Sequence, residues 1–368
     1  MTSDEQFMQA ALDLAATAEG RTRPNPAVGA LVVKNGRVIG EGFHPAAGQP
    51  HAEIFALRQA GAKARGATLY VTLEPCSHTG RTGPCADAVI AAGLARVVVA
   101  TVDPNPLVSG RGLERLRQAG IAVETGVLEA AARRLIAPFA KHVSSGLPFV
   151  VLKAGMTLDG MTATVGGDSR WITNPSSRNL VHQLRDKVDA ILVGVGTVLQ
   201  DNPLLTTRLP QGGRNPLRVV VDSQLRIQED AALLETGQEL ATLIVTTAAA
   251  PPAKRQRLLD RGVQVVTVEA AATGVELRQM LAGLGQRGVQ SLLLEGGATL
   301  NHAMLHAGLV DRVMFFLAPK LIGGQGRGLF SGPGVARLAD AFPLRGLRSR
   351  MVDGDILIEG ELGPCSPV

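Results

Sequence analysis

The chain has 368 residues, more than one hydrophobic core usually organises, so two domains are expected. At 45% hydrophobic and 19% charged residues it reads as folded, and with one Trp and one Tyr its cores must be filled mainly by Ala, Val and Leu. The net charge of +5 comes from 37 basic against 32 acidic residues, with no basic tract interleaved with aromatics, which favours a small phosphorylated ligand over a nucleic-acid partner.

Residues 4–19 predict a helix, because Phe7, Ala11, Leu14 and Ala18 recur at helical spacing after an acidic start. ALVVKNGRVIGEG (30–42) predicts two strands around an Asn35-Gly36 turn. A helix over 51–60, a buried strand over 67–73, a helix over 84–92 and a strand over 96–101 follow. A helix over 110–119 and a strand over 121–126 complete an α/β layer pattern. The segment 132–148 predicts a helix stopped near Pro138 and then a Ser/Gly/Pro stretch, which sets the domain boundary: 1–146 and 147–368. Beyond it, FVVLKAGM, AILVGVGTVLQ, LRVVVDS, ATLIVTT, GVQVVTVEA, GVQSLLLEGG, RVMFFLA and DILIEG predict strands. Helices are expected over 174–187, 276–286 and 298–306.

The N-terminus is acidic and lacks an apolar core, and no run of 18 apolar residues occurs, so a cytoplasmic location without a membrane partner is expected. Of three cysteines, Cys365 sits in a Pro-rich tail and reads as a bystander. The other two fall near a His-x-Glu pair, which fits a metal better than a disulfide.

His51 and Glu53 open one predicted helix, Cys76 follows a strand in Glu-Pro-Cys, and Cys85 follows Pro84 at the start of another helix. One imidazole and two thiolates suit Zn²⁺, and three protein ligands leave a fourth position for water, whose pKa zinc lowers. Glu53 is then the candidate proton carrier. A structural zinc is the competing reading, with His44 or His78 as fourth ligand, and a protein with no metal at all is the blandest one.

The H-A-E, E-P-C and P-C pattern resembles the cytidine-deaminase-like superfamily, although eight residues (SHTGRTGP) separate the cysteines where its signature has two. That insertion, with PNPAVGA upstream, resembles the bifunctional riboflavin-biosynthesis deaminase–reductase family. The resemblance implies a diaminopyrimidinone ribose-phosphate substrate, with Asn25, His44, Ser77, His78 and Arg81 in its pocket. A tRNA or nucleobase deaminase with an accessory domain is the rival, and a scaffold built on a structural zinc is another.

The second half has no G-x-G-x-x-G fingerprint. LLLEGGATLNHAML (292–305) instead predicts a strand, a two-glycine turn and a helix able to offer N–H groups to a phosphate. With KAGMTLDGMTA, GGDSRWIT and GVGTVLQDNPLLTTR it resembles the reductase domain of the same family. The resemblance implies a dihydrofolate-reductase-like fold after a three-layer deaminase domain, use of NADPH, and a homo-oligomer. It places Gly155, Trp171, Thr197, Asp201, Ser223 and the segment Gly297, Ala298, Thr299, Leu300, Asn301 at the cofactor. Ser169, Arg185, Leu205, Arg208 and Glu295 go to the substrate, with Arg185 and Arg208 as phosphate candidates. Trp171 as a core anchor and Asp201 as a turn residue are the structural alternatives. Lys153 and Asp201 are the candidate ionisable groups at the reacting centre. Arg214 or Arg218 are candidates for the extra phosphate of NADPH.

Overall fold

The computed structural model describes residues 1–77, 83–106, 108–235, 240–272 and 274–363, and the chain divides into two compact units, Met1–Gly146 and Leu147–Val368. In the first unit the order is α1 (Ser3–Thr17), β1 (Gly29–Lys34), β2 (Arg37–Phe43), α2 (Ala52–Ala60), β3 (Thr68–Leu73) and α3 (Cys85–Ala91). β4 (Arg96–Thr101), α4 (Arg111–Gln118), β5 (Ala122–Thr125) and α5 (Glu129–Ser145) complete it. The sheet runs β2-β1-β3-β4-β5; β1 is antiparallel to both its neighbours, and β3, β4 and β5 are parallel.

Thr2 and Glu5 close a reciprocal capping box on α1. Asn35 and Gly36 take positive φ in the β1–β2 turn, as the two-residue hairpin requires. One apolar layer joins α2, α3 and α4 to one sheet face, and α1 and α5 cover the other. Small residues let α2 sit close on β2: a Cβ on Gly42 would lie 2.5 Å from the carbonyl oxygen of Ala52. That contact fixes the start of α2, where His51 and Glu53 sit. Pro138 lies inside α5, not at its end, a correction to the expected stop. Burial of Ala132 and Ile136 on the flanking turn holds the helix together across the missing N–H.

The second unit comprises β6 (Phe149–Thr157), β7 (Met161–Ala163), α6 (Pro175–Lys187), β8 (Ala190–Gly194), α7 (Val195–Asp201), β9 (Leu217–Val221) and α8 (Ala232–Glu235). β10 (Thr242–Thr246), α9 (Pro252–Asp260), β11 (Gln264–Thr267), β12 (Ala270–Ala271), β13 (Gly274–Val275) and α10 (Leu277–Gln286) follow. The last are β14 (Ser291–Leu294), α11 (Ala298–His306), β15 (Arg312–Ala318), β16 (Arg327–Gly328), β17 (Leu344–Val352) and β18 (Asp355–Leu362). Nine strands form one sheet in the order β11-β10-β9-β8-β14-β6-β15-β18-β17. The pairings are parallel from β11 to β15 and antiparallel beyond. AILVGVGTVLQ is not one strand: it leaves the sheet at Gly194 and continues as α7. An apolar run cannot by itself distinguish buried strand from buried helix. β17, hidden in sequence by Gly346 and three arginines, is an exposed edge.

Candidate active sites

In the first unit, His51 is the N-cap of α2, Glu53 lies in its first turn, Cys76 follows β3, and Cys85 is the first residue of α3. The ligating atoms of His51, Cys76 and Cys85 all lie within 4.8 Å of one another. His51 Nδ1 is 3.3 Å from Cys85 Sγ and 3.7 Å from Cys76 Sγ. Zn–S bonds of about 2.3 Å and Zn–N bonds of about 2.0 Å at tetrahedral angles predict an N···S edge of roughly 3.5 Å. The trio therefore has the dimensions of a zinc site. The backbone N–H of Cys85 donates to Cys76 Sγ at 3.3 Å. A hydrogen bond from the Cys85 thiol, with His51 alongside, pulls the Cys76 thiol down to about 4 despite burial.

Glu53 is only 3% exposed, and burial pushes its carboxyl up to about 7. His44 packs edge-on against His51 at 5.2 Å between ring centres, yet both its nitrogens are committed elsewhere. Nδ1 pairs with the Pro50 carbonyl at 3.1 Å and Nε2 with the Asn25 amide at 3.1 Å. It is not a fourth ligand. His78 and Arg81 lie outside the described residues, and Ser77 is half-buried beside Cys76.

In the second unit, a cleft of about 640 Å³ opens at the C-terminal ends of β6, β14, β8 and β9, the part of an α/β sheet where ligands usually bind. Lys153 and Gly155 line it from β6, Ser169 from the loop after β7, Thr197 and Asp201 from α7, and Ser223 from the loop after β9. Glu295 and the segment Gly297, Ala298, Thr299, Leu300, Asn301 line it from the β14–α11 turn. Glu295 is buried. Arg185 grips it with Nε at 2.8 Å and Nη2 at 3.0 Å, and Lys153 Nζ is 3.5 Å away. Burial alone would raise the Glu295 carboxyl, but Arg185 and then Lys153 outweigh it and hold it at about 2.

Against known proteins, residues 148–358 match the RibD C-terminal domain and residues 1–101 match the cytidine and deoxycytidylate deaminase zinc-binding region. The riboflavin biosynthesis protein RibD of Aquifex aeolicus is 43% identical over 96% of this chain and 97% of its own. The chain belongs to the RibD family. The solved RibD structure from Acinetobacter baumannii is 40% identical with a TM-score of 0.85, covering 98% of this chain and 99% of that one. The Thermotoga maritima structure, titled a diaminohydroxyphosphoribosylaminopyrimidine deaminase/5-amino-6-(5-phosphoribosylamino)uracil reductase, is 38% identical with a TM-score of 0.83 over 98% and 99%. The RibD architecture is thus a cytidine-deaminase-like zinc domain followed by a dihydrofolate-reductase-like domain.

Within this RibD-family chain several expected residues stand apart from the cleft. Trp171 is no core anchor: it is 62% exposed, outside the cleft lining, with the Arg178 guanidinium 4.5 Å over its ring. Arg185 has a carboxylate as its partner and its remaining Nη1 donates to the Thr206 carbonyl at 3.0 Å, so its fork is already engaged. Leu205 is buried with φ +54, and Arg208 is exposed; neither lines the cleft. Arg218 is 1% exposed and donates to the carbonyls of Leu204 and Leu240, while Arg214 donates to those of Lys187 and Val188. Both arginines brace loops and are not available to a cofactor phosphate.

Sequence reasoning missed Glu74, whose carboxylate accepts N–H groups from Asp103, Gly110, Gly112 and Leu113. It ties down the loop before α4. It also missed His182, whose Nδ1 accepts the Arg208 N–H at 3.3 Å. Burial, then the charges of Arg185 and Arg208, push its pKa to about 4. Its position one helical turn before Arg185 was the available signal.

The RibD cleft fits NADPH. Gly297 is the N-cap of α11 and has no side chain to cap it, so the first N–H groups of the helix, on the cleft wall, meet no competing acceptor from the cap residue. A Cβ on Gly297 would lie 3.2 Å from Thr197 Oγ1, tighter than ordinary contact, so glycine lets the turn pack against α7 at the cleft wall. Asn301 Oδ1 is buried without a hydrogen-bond partner among the described residues, and the side chain lines the same wall.

Proposed function

We propose that the first unit deaminates 2,5-diamino-6-(5-phosphoribosylamino)pyrimidin-4(3H)-one and the second reduces the resulting 5-amino-6-(5-phosphoribosylamino)uracil. The chain is a bifunctional riboflavin-biosynthesis enzyme, a zinc hydrolase and an NADPH-dependent oxidoreductase. The observation that carries the deaminase assignment is the His51, Cys76, Cys85 cluster beside one buried carboxyl.

Zinc held by that cluster supplies a Lewis acid that lowers the pKa of a water. Glu53, poised near 7, takes one proton from water and gives it to the ring nitrogen as the water oxygen bonds to the amino-bearing carbon; it then carries the second proton to the amino group, the C–N bond breaks, ammonia leaves and a ring carbonyl remains. His44 donates from Nδ1 to the Pro50 carbonyl, which leaves Nε2 to accept from the Asn25 amide. With its amide committed to His44, Asn25 keeps its carbonyl oxygen as the group it can offer to substrate.

In the second unit NADPH supplies the hydride. Opening of the ribosylamine gives an imine at the sugar C1, and one hydride at carbon plus one proton at nitrogen yields the ribitylamine. Lys153, steered by Glu295, and Asp201 across the cleft manage that proton. Arg185 acts as a positioning residue for Glu295, and the exposed Arg208 takes the ribose phosphate. Ser169 lines the remaining substrate wall.

The test is NADPH consumption with the diaminopyrimidinone phosphate, with and without a zinc chelator. Chelation is expected to block it while sparing reduction of the already deaminated compound. Chelator-insensitive turnover of the first substrate would contradict the scheme.

A cytoplasmic homo-oligomer completes this reading. No helix among the described residues is long and apolar enough to cross a membrane. Leu338, Leu347 and Met351 are exposed on and before the edge strand β17, the kind of apolar surface that self-association covers. A monomer at micromolar concentration in sedimentation velocity would exclude it.

A further inference from the structure

We infer that Lys320 is a positioning residue for the reduction: its ammonium clamps the loop between β7 and α6 so that Ser169 stands on the cleft wall. This rests on the cleft being the reductase site and on Ser169 meeting substrate there.

Lys320 is mounted on a fixed base. β15 ends at Ala318, and Pro319 follows with its φ set by its ring. The Lys320 carbonyl accepts the Leu158 N–H at 2.9 Å. Asp159, in the same β6–β7 turn, accepts the N–H groups of Ile322 at 3.1 Å and Gly323 at 2.8 Å. Lys320 and the residues after it are thus tied to one turn, and the side chain extends from a rigid point. Its Nζ donates to the carbonyls of Trp171 at 2.7 Å and Ile172 at 2.8 Å.

Packing does not fix this loop. None of residues 164–173 is buried, so apolar contact contributes little to where it lies. Its front is a turn in which the Thr164 N–H donates to the Asp168 carbonyl at 2.9 Å and the Asp168 N–H to Thr164 Oγ1 at 3.1 Å. Beyond it, consecutive carbonyls are held by cations: those of Trp171 and Ile172 by Lys320, and that of Thr173 by the Arg178 guanidinium. Hydrogen bonds from charged donors are the stronger kind, and an ammonium with three donors serves two carbonyls at once. Thr173 then seats on β6, where its Cγ2 lies 3.1 Å from the position of a Cβ on Gly155. The clamped end of the loop therefore closes on the strand that carries Lys153.

Ser169 lies between the Thr164–Asp168 turn and the Lys320 clamp, and of residues 164–173 it alone lines the cleft. Arg170 beside it donates from Nη2 to the Asp201 carbonyl at 3.1 Å, a tether through a long side chain and not through the backbone. Without Lys320, the backbone beyond Ser169 is next held at Thr173, and Ser169 loses its fixed place on the wall.

Reduction of 5-amino-6-(5-phosphoribosylamino)uracil at saturating NADPH is to be measured with the full chain as wild type, Lys320→Met, Lys320→Arg, Ser169→Ala and the double variant Lys320→Met, Ser169→Ala. Lys320→Met is expected to raise KM roughly 10-fold and to leave kcat within about 3-fold, because a wall residue meets substrate in the ground state and the transition state alike. Lys320→Arg, which keeps the charge and the donors, should recover most of that loss. In the Ser169→Ala background, Lys320→Met should add less than about 2-fold, since the two residues act as one unit. Trp171 carries one of the clamped carbonyls and is the chain's single tryptophan, so its fluorescence anisotropy should fall in Lys320→Met. A wild-type KM in Lys320→Met, its full effect repeated on top of Ser169→Ala, or an unchanged anisotropy would each overturn the assignment. Should Lys320→Met misfold, as its unfolding midpoint would show, Lys320→Gln keeps one donor group and should give the same pattern at smaller size. Absence of NADPH-dependent reduction by the wild type would instead sink the reductase reading beneath it.

Discussion

Replacing Arg185 with Met leaves Glu295 buried with Lys153, 3.5 Å away, as its remaining cationic neighbour. Holding that carboxyl at about 2, when an unperturbed one titrates near 4.5, corresponds to about 3 kcal/mol of folding stability at neutral pH. Breaking one side of a buried pair costs about 3–5 kcal/mol by the same reasoning. The group's folded pKa is depressed, so its contribution is complete above pH 4.5 and is lost as pH falls through about 2. Arg185→Met should therefore be most destabilised at pH 7, and its deficit should shrink below about pH 4.5, where Glu295 can protonate. The double variant Arg185→Met, Glu295→Met should recover part of the loss, because the buried carboxylate is gone and the charge it leaves behind, Lys153, is partly exposed to water. Urea unfolding followed by fluorescence reads this in the correct unit, since Trp171 is the only tryptophan and lies there. A single-variant deficit under about 1 kcal/mol, or one that is flat from pH 7 to 3.5, would refute the buried-pair account.

Glu53→Gln should cut ammonia release by at least about 100-fold while metal analysis finds zinc at the wild-type level; near-normal deamination would remove Glu53 from its role. Cys85→Ser should lower bound zinc sharply, because a hydroxyl is a poor zinc ligand beside one thiolate and one imidazole. Full zinc occupancy in that variant would mean that the metal sits elsewhere. Asp201→Asn should slow NADPH oxidation and spare ammonia release, since Asp201 lines the cleft of the second unit alone. Loss of both activities would show that the residue supports something other than the reductase step.

Much of this protein was legible in the chain itself because its signals are local. The Asn35-Gly36 hairpin depends on two adjacent residues that tolerate positive φ. The His51, Glu53, Cys76 and Cys85 motif depends on short segments that start helices or end strands, so side-chain type and spacing carry the chemistry. The Glu295-Gly296-Gly297 turn is likewise written in consecutive residues.

What tertiary structure alone decided were partnerships between residues far apart in sequence. Arg185 and Glu295 are 110 positions apart, and their contact turned a phosphate candidate into the clamp of a buried carboxylate. Arg214, Arg218 and Arg226 look alike as letters, yet two are tied to backbone carbonyls and one is presented to the cleft. Arginine pattern cannot reveal this, because a guanidinium's role depends on which acceptors reach it once the chain has closed. Asn25 and His44 were separable candidates until folding joined them by a hydrogen bond, which also removed His44 as a zinc ligand. Sequence determines what each residue is able to do; which of those capacities is already satisfied by the protein is settled by packing.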